Sequence, residues 1–184
     1  MLTVLLYILV MALLVLLVLV MFAATKPNEF TVRRSIAIKA EPADVFGLID
    51  DFRNWPKWSP WEKLDPSMKK TMSGAESGPG SVYEWAGDKK VGSGRMEIIS
   101  TAPYSTIDIK LSFFKPFRAE NRTIFTLVPQ NDGTYVTWEM SGVSNLVLKI
   151  MGIVMNMDKM IGRDFEKGLA AMKAEAESGA SASA

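Results

Sequence analysis

The chain of 184 residues contains neither cysteine nor histidine. The missing thiol excludes disulfide bonds, thiolate metal sites and a lipid-modified cysteine. The missing imidazole removes the commonest general base, the commonest metal ligand and every Ser-His or Cys-His nucleophile. Phosphate-binding and nucleophile-elbow glycine motifs are absent as well. We therefore expect no metal site and no cofactor, and any acid–base chemistry would fall on carboxylates.

Residues 2–24 lack charged residues, glycine and proline. A helix of this length rises roughly 34 Å, which is enough to cross a hydrocarbon core of about 30 Å. The alternative is a cleavable signal peptide, which has a shorter apolar region, a preceding basic residue and a small-x-small cleavage site. Met21 and Phe22 stand where that site needs small residues. The sequence predicts a transmembrane anchor at 1–25, a folded domain at 26–177 and a disordered tail at 178–184.

The basic residues that flank this anchor all follow it. Lys26, Arg33 and Arg34 lie on its C-terminal side, and cytoplasmic flanks are enriched in Lys and Arg. This bias predicts a single-pass protein with its domain on the cytoplasmic side, although Arg33 and Arg34 also fall in a predicted strand. The net charge is +1 with acids and bases interspersed, so the composition predicts no nucleic-acid partner. The bilayer is the predicted partner.

The apolar residues of the domain change their spacing along the chain. Alternation at 30–38 predicts a first strand, and Pro42 suits the first turn of a short helix that ends near Asp50. From Met68 to Met140, alternating segments are separated by turn residues. Six or seven antiparallel strands follow from this pattern.

A long amphipathic helix is predicted at 146–177, because apolar residues recur there at steps of three or four. They are Leu146, Ile150, Ile153, Met157, Ile161, Phe165, Leu169 and Met172. Gly162 and Gly168 each cost about 1 kcal/mol relative to Ala inside a helix, which predicts close packing or cavity space beside them. The fold class is therefore α+β, with a curved antiparallel sheet of six to seven strands around one long C-terminal helix.

Local motifs add a resemblance to the SRPBCC superfamily, the START-like or polyketide cyclase-like proteins with a helix-grip fold. The stretches that resemble it are Arg34-Ser35-Ile36, Pro42-x-x-Val45-Phe46, Trp55-x-x-Trp58-Ser59-Pro60-Trp61, Gly80-Ser81-x-Tyr83-x-Trp85, Gly133-Thr134-x-Val136-x-Trp138 and Gly162-x-Asp164-Phe165-Glu166-x-Gly168-Leu169. The resemblance covers about Phe30 to Glu177. It implies a hydrophobic cavity between the sheet and the last helix, used for lipids, isoprenoids, polyketides or aromatic compounds. It supplies no shared catalytic residue, so the fold does not define the function.

Strand alternation selects the positions that would line the implied cavity. These are Tyr83, Trp85, Met96, Ile98, Ile109, Leu111, Phe113, Phe125, Trp138 and Met140 on the sheet, with Met157, Ile161 and Phe165 on the helix. Apolar residues at these spacings are also what any core requires, and about two in three should only pack.

Two further sets of residues bear on function. The first set is three tryptophans interleaved with prolines, Trp55, Trp58 and Trp61. They would either close one end of the fold or contact the ligand or the bilayer. Trp58 is the candidate for such a contact. Asp164 borders the apolar stripe of the last helix and is the weak catalytic candidate, unless it forms a surface pair with Arg163.

The sequence therefore predicts membrane-anchored binding of a small hydrophobic or amphipathic ligand. The alternatives are a cyclase, isomerase or hydrolase-type enzyme acting on such a ligand, and an interaction module that binds no ligand.

Overall fold

The computed structural model of the chain describes residues 1–144, 149, 150, 152 and 156–182. Its helices are α1 (Leu2–Ala24), α2 (Pro42–Asp50), α3 (Trp55–Trp58) and α4 (Met157–Ala182), with a 3-10 turn at Phe52–Asn54. Its strands are β1 (Glu29–Ile38), β2 (Lys69–Gly74), β3 (Ser81–Ala86), β4 (Ser93–Ala102), β5 (Thr106–Lys115), β6 (Ala119–Gln130) and β7 (Gly133–Val143).

The seven strands form one antiparallel sheet in the order β1-β7-β6-β5-β4-β3-β2. Strands β2 to β7 make a meander in which each strand pairs with the next. β1 adds to the far side of β7, with Glu29 opposite Val143 and Ile38 opposite Thr134. One face of the sheet packs against α2, α3 and α4, and we call it the inner face. The predicted α+β helix-grip architecture is confirmed.

Helix α4 has different limits from the helix predicted at 146–177. It begins at Met157, because Asn156 is not helical and its side chain accepts a hydrogen bond of 2.9 Å from the backbone N–H of Lys159. This is an N-cap interaction. The predicted start at Leu146, together with Ile153, falls outside the described residues. At the other end the helix continues through Ala182, so residues 178–182 are helical where the sequence predicted a disordered tail.

The two glycines of α4 lie at close contacts, as predicted. Gly162 lies beneath the guanidinium of Arg34, and a Cβ there would overlap it. Arg34 donates hydrogen bonds to Glu166 at 2.8 Å and to Asp158 at 3.1 Å, which fastens β1 to the helix. A Cβ at Gly168 would lie 2.9 Å from Trp138. Small residues at these two positions let α4 approach the sheet.

Candidate functional site

Aromatic side chains fill the part of the inner face that lies under α3 and α4. The cluster consists of Trp55, Trp58, Trp61, Phe125, Trp138 and Phe165. Trp138 of β7 stacks on Phe165 of α4 with a centroid distance of 4.0 Å, and Trp58 meets Trp138 edge-on at 5.5 Å. We call this set the aromatic cluster. It occupies much of the space that the resemblance assigns to a ligand.

Trp58 is part of this core and does not reach the surface. Its indole N–H donates to the carbonyl of Leu48 at 2.8 Å, and the indole of Trp55 donates to the carbonyl of Ile49 at 3.0 Å. Both indoles are buried. These bonds attach α3 to the end of α2, so the geometry supports a structural role for Trp58 over contact with a ligand or a bilayer.

The other predicted site residues divide by exposure. The strand register places all ten predicted sheet positions on the inner face. The buried ones are Tyr83, Met96, Ile98, Ile109, Phe125, Trp138 and Met140. Trp85, Leu111 and Phe113 remain partly exposed, as does Ile161 on α4. The side chain of Met157 falls outside the described residues.

The partly exposed residues lie together near one end of the sheet. Trp85 is opposite Gly94, Gly94 is opposite Phe113, and Leu111 is opposite Asn121. A side chain at Gly94 would overlap the indole of Trp85, so the missing side chain lets this ring lie flat across the sheet. We call this region, from Trp85 across Leu111 and Phe113 to Asn121 and Thr123, the open half of the inner face.

Two polar residues of the open half were missed by the sequence reasoning. Asn121 and Thr123 of β6 point inward and are only 9% and 4% exposed. Their oxygens Oδ1 and Oγ1 have no hydrogen-bond partner among the described residues. The amide nitrogen of Asn121 lies 3.8 Å from the sulfur of Met140, which is its acceptor in the described part of the chain. A signal was present, because both residues share the inward parity of Phe125.

Gly142 leaves the space that the Asn121 amide occupies. The two residues are opposite each other on β7 and β6, and a Cβ at Gly142 would overlap Oδ1 of Asn121. The neighbours of Thr123 across the sheet are Ile109 and Met140. Two acceptors that no described residue satisfies therefore lie side by side in apolar surroundings, where an unsatisfied polar group costs about 1–3 kcal/mol.

A buried carboxylate lies at the edge of the sheet beside this region. The side chain of Glu62 is 5% exposed, accepts a hydrogen bond of 2.6 Å from the hydroxyl of Tyr83, and forms an ion pair with Lys70. Burial, together with the hydrogen bond to Glu62, raises the pKa of Tyr83 far above its usual value. The phenol therefore stays protonated and donates to Glu62. This arrangement fastens the loop after α3 to β2 and β3.

Asp164, the weak catalytic candidate, is partly exposed on α4. It forms an ion pair of 3.0 Å with Lys167, one turn along the helix, instead of with Arg163. Its carboxylate is therefore a paired and partly exposed group of the helix surface.

Two clefts of the described residues lie away from the predicted cavity. The larger, of about 740 Å³, is an open cleft between α2, the end of α4 and the β6–β7 turn, lined by charged residues of both signs that include Lys39, Asp44 and Glu175. The smaller, of about 190 Å³, lies beside β2 and the 3-10 turn. Neither contains a predicted site residue. Among the predicted sheet positions, those that remain partly exposed are Trp85, Leu111 and Phe113 of the open half.

A seven-stranded antiparallel sheet that grips a C-terminal helix, with a partly open apolar inner face, defines a helix-grip domain. The chain belongs to the polyketide cyclase / dehydrase and lipid transport family, whose model matches residues 29–177. A comparison with curated proteins finds no match.

Solved structures share this fold at low sequence identity. Protein CV1439 from Chromobacterium violaceum is 16% identical with a TM-score of 0.60, over 83% of this chain and 99% of that one. The di-domain ARO/CYC protein StfQ of the steffimycin biosynthetic pathway is 10% identical with a TM-score of 0.62, over 84% of this chain and 52% of that one. The Aha1 dimer from Colwellia psychrerythraea is 16% identical with a TM-score of 0.53, over 78% of this chain and 96% of that one. At these identities the likeness concerns the fold.

Proposed function

We propose that the protein is a membrane-anchored binder of a small hydrophobic or amphipathic ligand, held in the open half of the inner face. The observation that carries this proposal is a pair of oxygens, on Asn121 and Thr123, that have no hydrogen-bond partner among the described residues and lie in apolar surroundings. Both oxygens are enclosed, so a ligand has to displace the side chains that cover them. A ligand with an apolar body and two donor hydrogens, as in a primary amide, would then satisfy both oxygens while covering Leu111 and Phe113. Lipids, isoprenoids, polyketides and aromatic compounds include molecules of this type, and the family description supports the same range.

Ligand binding should stabilise the folded domain. A ligand present at 100 times its dissociation constant should raise the free energy of unfolding by about 2.7 kcal/mol. The measurement is urea unfolding of the full chain in detergent, with a panel of fatty alcohols, isoprenoids and aromatic polyketides. Native mass spectrometry of the protein from its own cells identifies a molecule that is already bound.

The matched variants for this measurement are on β5. Leu111→Trp places a larger ring in the open half and should abolish the stabilisation by ligand. Lys110→Trp adds the same ring to the exposed face of the same strand and should preserve it. If no compound of the panel stabilises the protein and mass spectrometry finds no bound molecule, the binding proposal fails. An interaction module that binds no ligand is then favoured, and the filled aromatic cluster is consistent with that alternative.

An enzyme acting on the same ligand is the second candidate, because the family includes cyclases and dehydrases. The carboxylates considered for catalysis already have partners. Glu62 is bound by Tyr83 and Lys70. Asp164 forms an ion pair with Lys167. Asp164→Asn separates the two classes. A binder keeps its ligand unchanged, whereas an enzyme that uses Asp164 keeps binding and loses turnover.

The anchor is the second element of the proposal. Helix α1 has no charged residue. Its candidate span Thr3–Ala24 has a mean hydropathy of 3.3, and the 18-residue window that defines the span has no buried residue. Exposed apolar side chains along such a length favour a bilayer as their surroundings. The full chain should therefore remain with membranes after carbonate or high-salt washing, and the chain from Lys26 onward should be soluble. Release of the full chain by salt alone would contradict the anchor.

We also propose that the domain lies on the cytoplasmic side, because Lys26, Arg33 and Arg34 follow α1. Protease added to intact cells, or to spheroplasts if an outer membrane is present, should spare the domain. Its digestion under those conditions would place it on the other side.

A further inference from the structure

The start of β1 and two hairpins meet at one end of the sheet. β1 begins at Glu29, opposite Val143 at the end of β7. At the same end are the β5–β6 hairpin and the β3–β4 hairpin, which adjoin because Ser93 pairs with Lys115. We call this region, formed by the start of β1 and by residues 87–92 and 114–118, the anchor-side end.

Only residues 25–28 separate α1 from β1. Cα atoms of Ala24 and Glu29 are therefore at most about 18 Å apart. Asn28 is held against the sheet, since its carbonyl accepts a hydrogen bond of 2.7 Å from Ser144 and its side chain accepts one of 2.6 Å from Lys149. A bilayer that contains α1 would thus lie next to this end of the sheet.

The β5–β6 hairpin extends towards that bilayer beyond the start of β1. Asn121 of β6 is opposite Gly142 of β7, and Gly142 is opposite Phe30 of β1, so the three residues lie in one row across the sheet. From this row the chain continues about four residues to Phe117, roughly 13 Å at the usual rise of a strand. β6 is two strands away from β1, or roughly 10 Å to the side. The hairpin tip therefore lies within the distance that the linker allows.

These two hairpins carry exposed aromatic and basic side chains, together with one acidic residue, Asp88, whose carboxylate accepts a hydrogen bond of 2.7 Å from the backbone N–H of Lys90. Phe114 and Phe117 are 48% and 55% exposed. Lys89, Lys90, Lys115 and Arg118 are all exposed, and none of them forms an ion pair with another residue in the described part of the chain. Aromatic rings and basic groups together are typical of surfaces that meet the headgroups of anionic lipids.

The hairpins at the opposite end of the sheet lack this composition. Residues 103–105 of the β4–β5 hairpin carry no charge, and the β6–β7 turn at 131–132 carries one acidic residue, Asp132. The basic hairpins are thus confined to the end that the linker holds near α1.

We infer that the anchor-side end is a docking surface for an anionic phospholipid bilayer. Phe114 and Phe117 enter the interfacial region, and the four basic side chains of the two hairpins contact phosphate headgroups. The inference rests on the proposed anchoring of α1. It has a consequence for the ligand site, because Trp85 and Phe113 are in the strand positions next to these hairpins. The open half of the inner face then opens beside the bilayer, and its ligand enters from the lipid phase.

The absence of cysteine permits a direct test on the full chain. The test variant is Phe117→Cys, and the matched control is Asp132→Cys at the opposite end of the sheet. Each cysteine carries one environment-sensitive fluorophore, and each protein is placed in liposomes of phosphatidylcholine and phosphatidylglycerol. Lipids with a nitroxide near the headgroup should quench the probe at position 117 several-fold more than the probe at position 132. A second comparison sets the chain with both Lys89→Gln and Lys90→Gln against the chain without them. The two substitutions should reduce the ratio of docked to undocked protein about fivefold for each charge removed.

The outcomes separate the surface from the anchor. If the protein floats with the liposomes and both probes are quenched equally little, the docking surface is wrong and the anchor stands. Protection of the probe at 117 from aqueous iodide without quenching by lipid would assign the surface to a protein partner and also overturn the inference. If the chain fails to float with the liposomes, the anchor is wrong and the docking surface fails with it. Strong quenching at 117 that is lost in vesicles of phosphatidylcholine alone supports it.

Discussion

Replacing Trp138 with alanine should lower the free energy of unfolding by about 3–5 kcal/mol. This ring lies between Trp58, Trp61, Phe125 and Phe165, and α4 cannot move into the vacated space without breaking the hydrogen bonds of Arg34 to Asp158 and Glu166. The cavity would therefore persist, which is the condition for a cost at the upper end of the range. Urea unfolding of the full chain in detergent, followed by circular dichroism, measures the change.

Tyr135→Ala is the matched control on the same strand. Tyr135 is on the outer face of β7 and is exposed, so its replacement should change the free energy of unfolding by no more than about 0.5 kcal/mol. Trp138→Phe keeps a ring that can stack on Phe165 and should cost less than Trp138→Ala. Equal and small losses for Trp138→Ala and Tyr135→Ala would show that the aromatic cluster does not stabilise the fold and that Trp138 is free to meet a ligand.

The sequence predicted the inner face of the sheet but not which part of it is filled. Alternation assigns a strand residue to a face, because successive side chains point to opposite sides. It therefore placed Trp138 and Leu111 on the same face correctly. Whether a residue on that face is covered depends on where α3 and α4 cross the sheet, which is a tertiary property. Leu111 is partly exposed and Trp138 is buried, although both lie on that face.

Polar residues in the interior were harder to predict than apolar ones. Glu62 lies in a loop without periodicity, and its burial depends on Tyr83 and Lys70, which lie on two strands after the loop. Asn121 follows the strand period, yet a search for apolar lining residues passes over it. The start of α4 was missed because Ile150 and Ile161 continue one apolar stripe, and periodicity alone does not show that Asn156 interrupts the helix.

The two halves of the inner face suggest a division of tasks. The aromatic cluster and the Arg34 contacts hold α4 against β1 and β7, with little room for a ligand. The open half contains partly exposed rings beside the hairpins of the anchor-side end. It also contains two oxygens that have no hydrogen-bond partner within the described ranges. Stability and binding would then depend on different residues, so variants of the two regions should affect different measurements.

Thr123→Val should make the free protein more stable and its ligand binding weaker. Valine matches threonine in shape, and it removes a buried hydroxyl whose oxygen has no partner among the described residues. Removing the desolvation cost of that hydroxyl should raise the free energy of unfolding by about 1 kcal/mol. Loss of a hydrogen bond to the ligand should raise the dissociation constant about tenfold, which corresponds to about 1.4 kcal/mol. Unfolding with and without ligand measures both effects.

Thr126→Val is the control for this prediction, because Thr126 is on the same strand but on the outer face. It should leave the dissociation constant unchanged. A structural role for Thr123 would give the opposite pattern, with lower stability of the free protein and unchanged affinity. Opposite changes in stability and affinity are expected only where a polar group is kept unsatisfied in the free protein for use by a ligand. The observation of both changes in Thr123→Val, and of neither in Thr126→Val, would therefore assign the open half as the binding site.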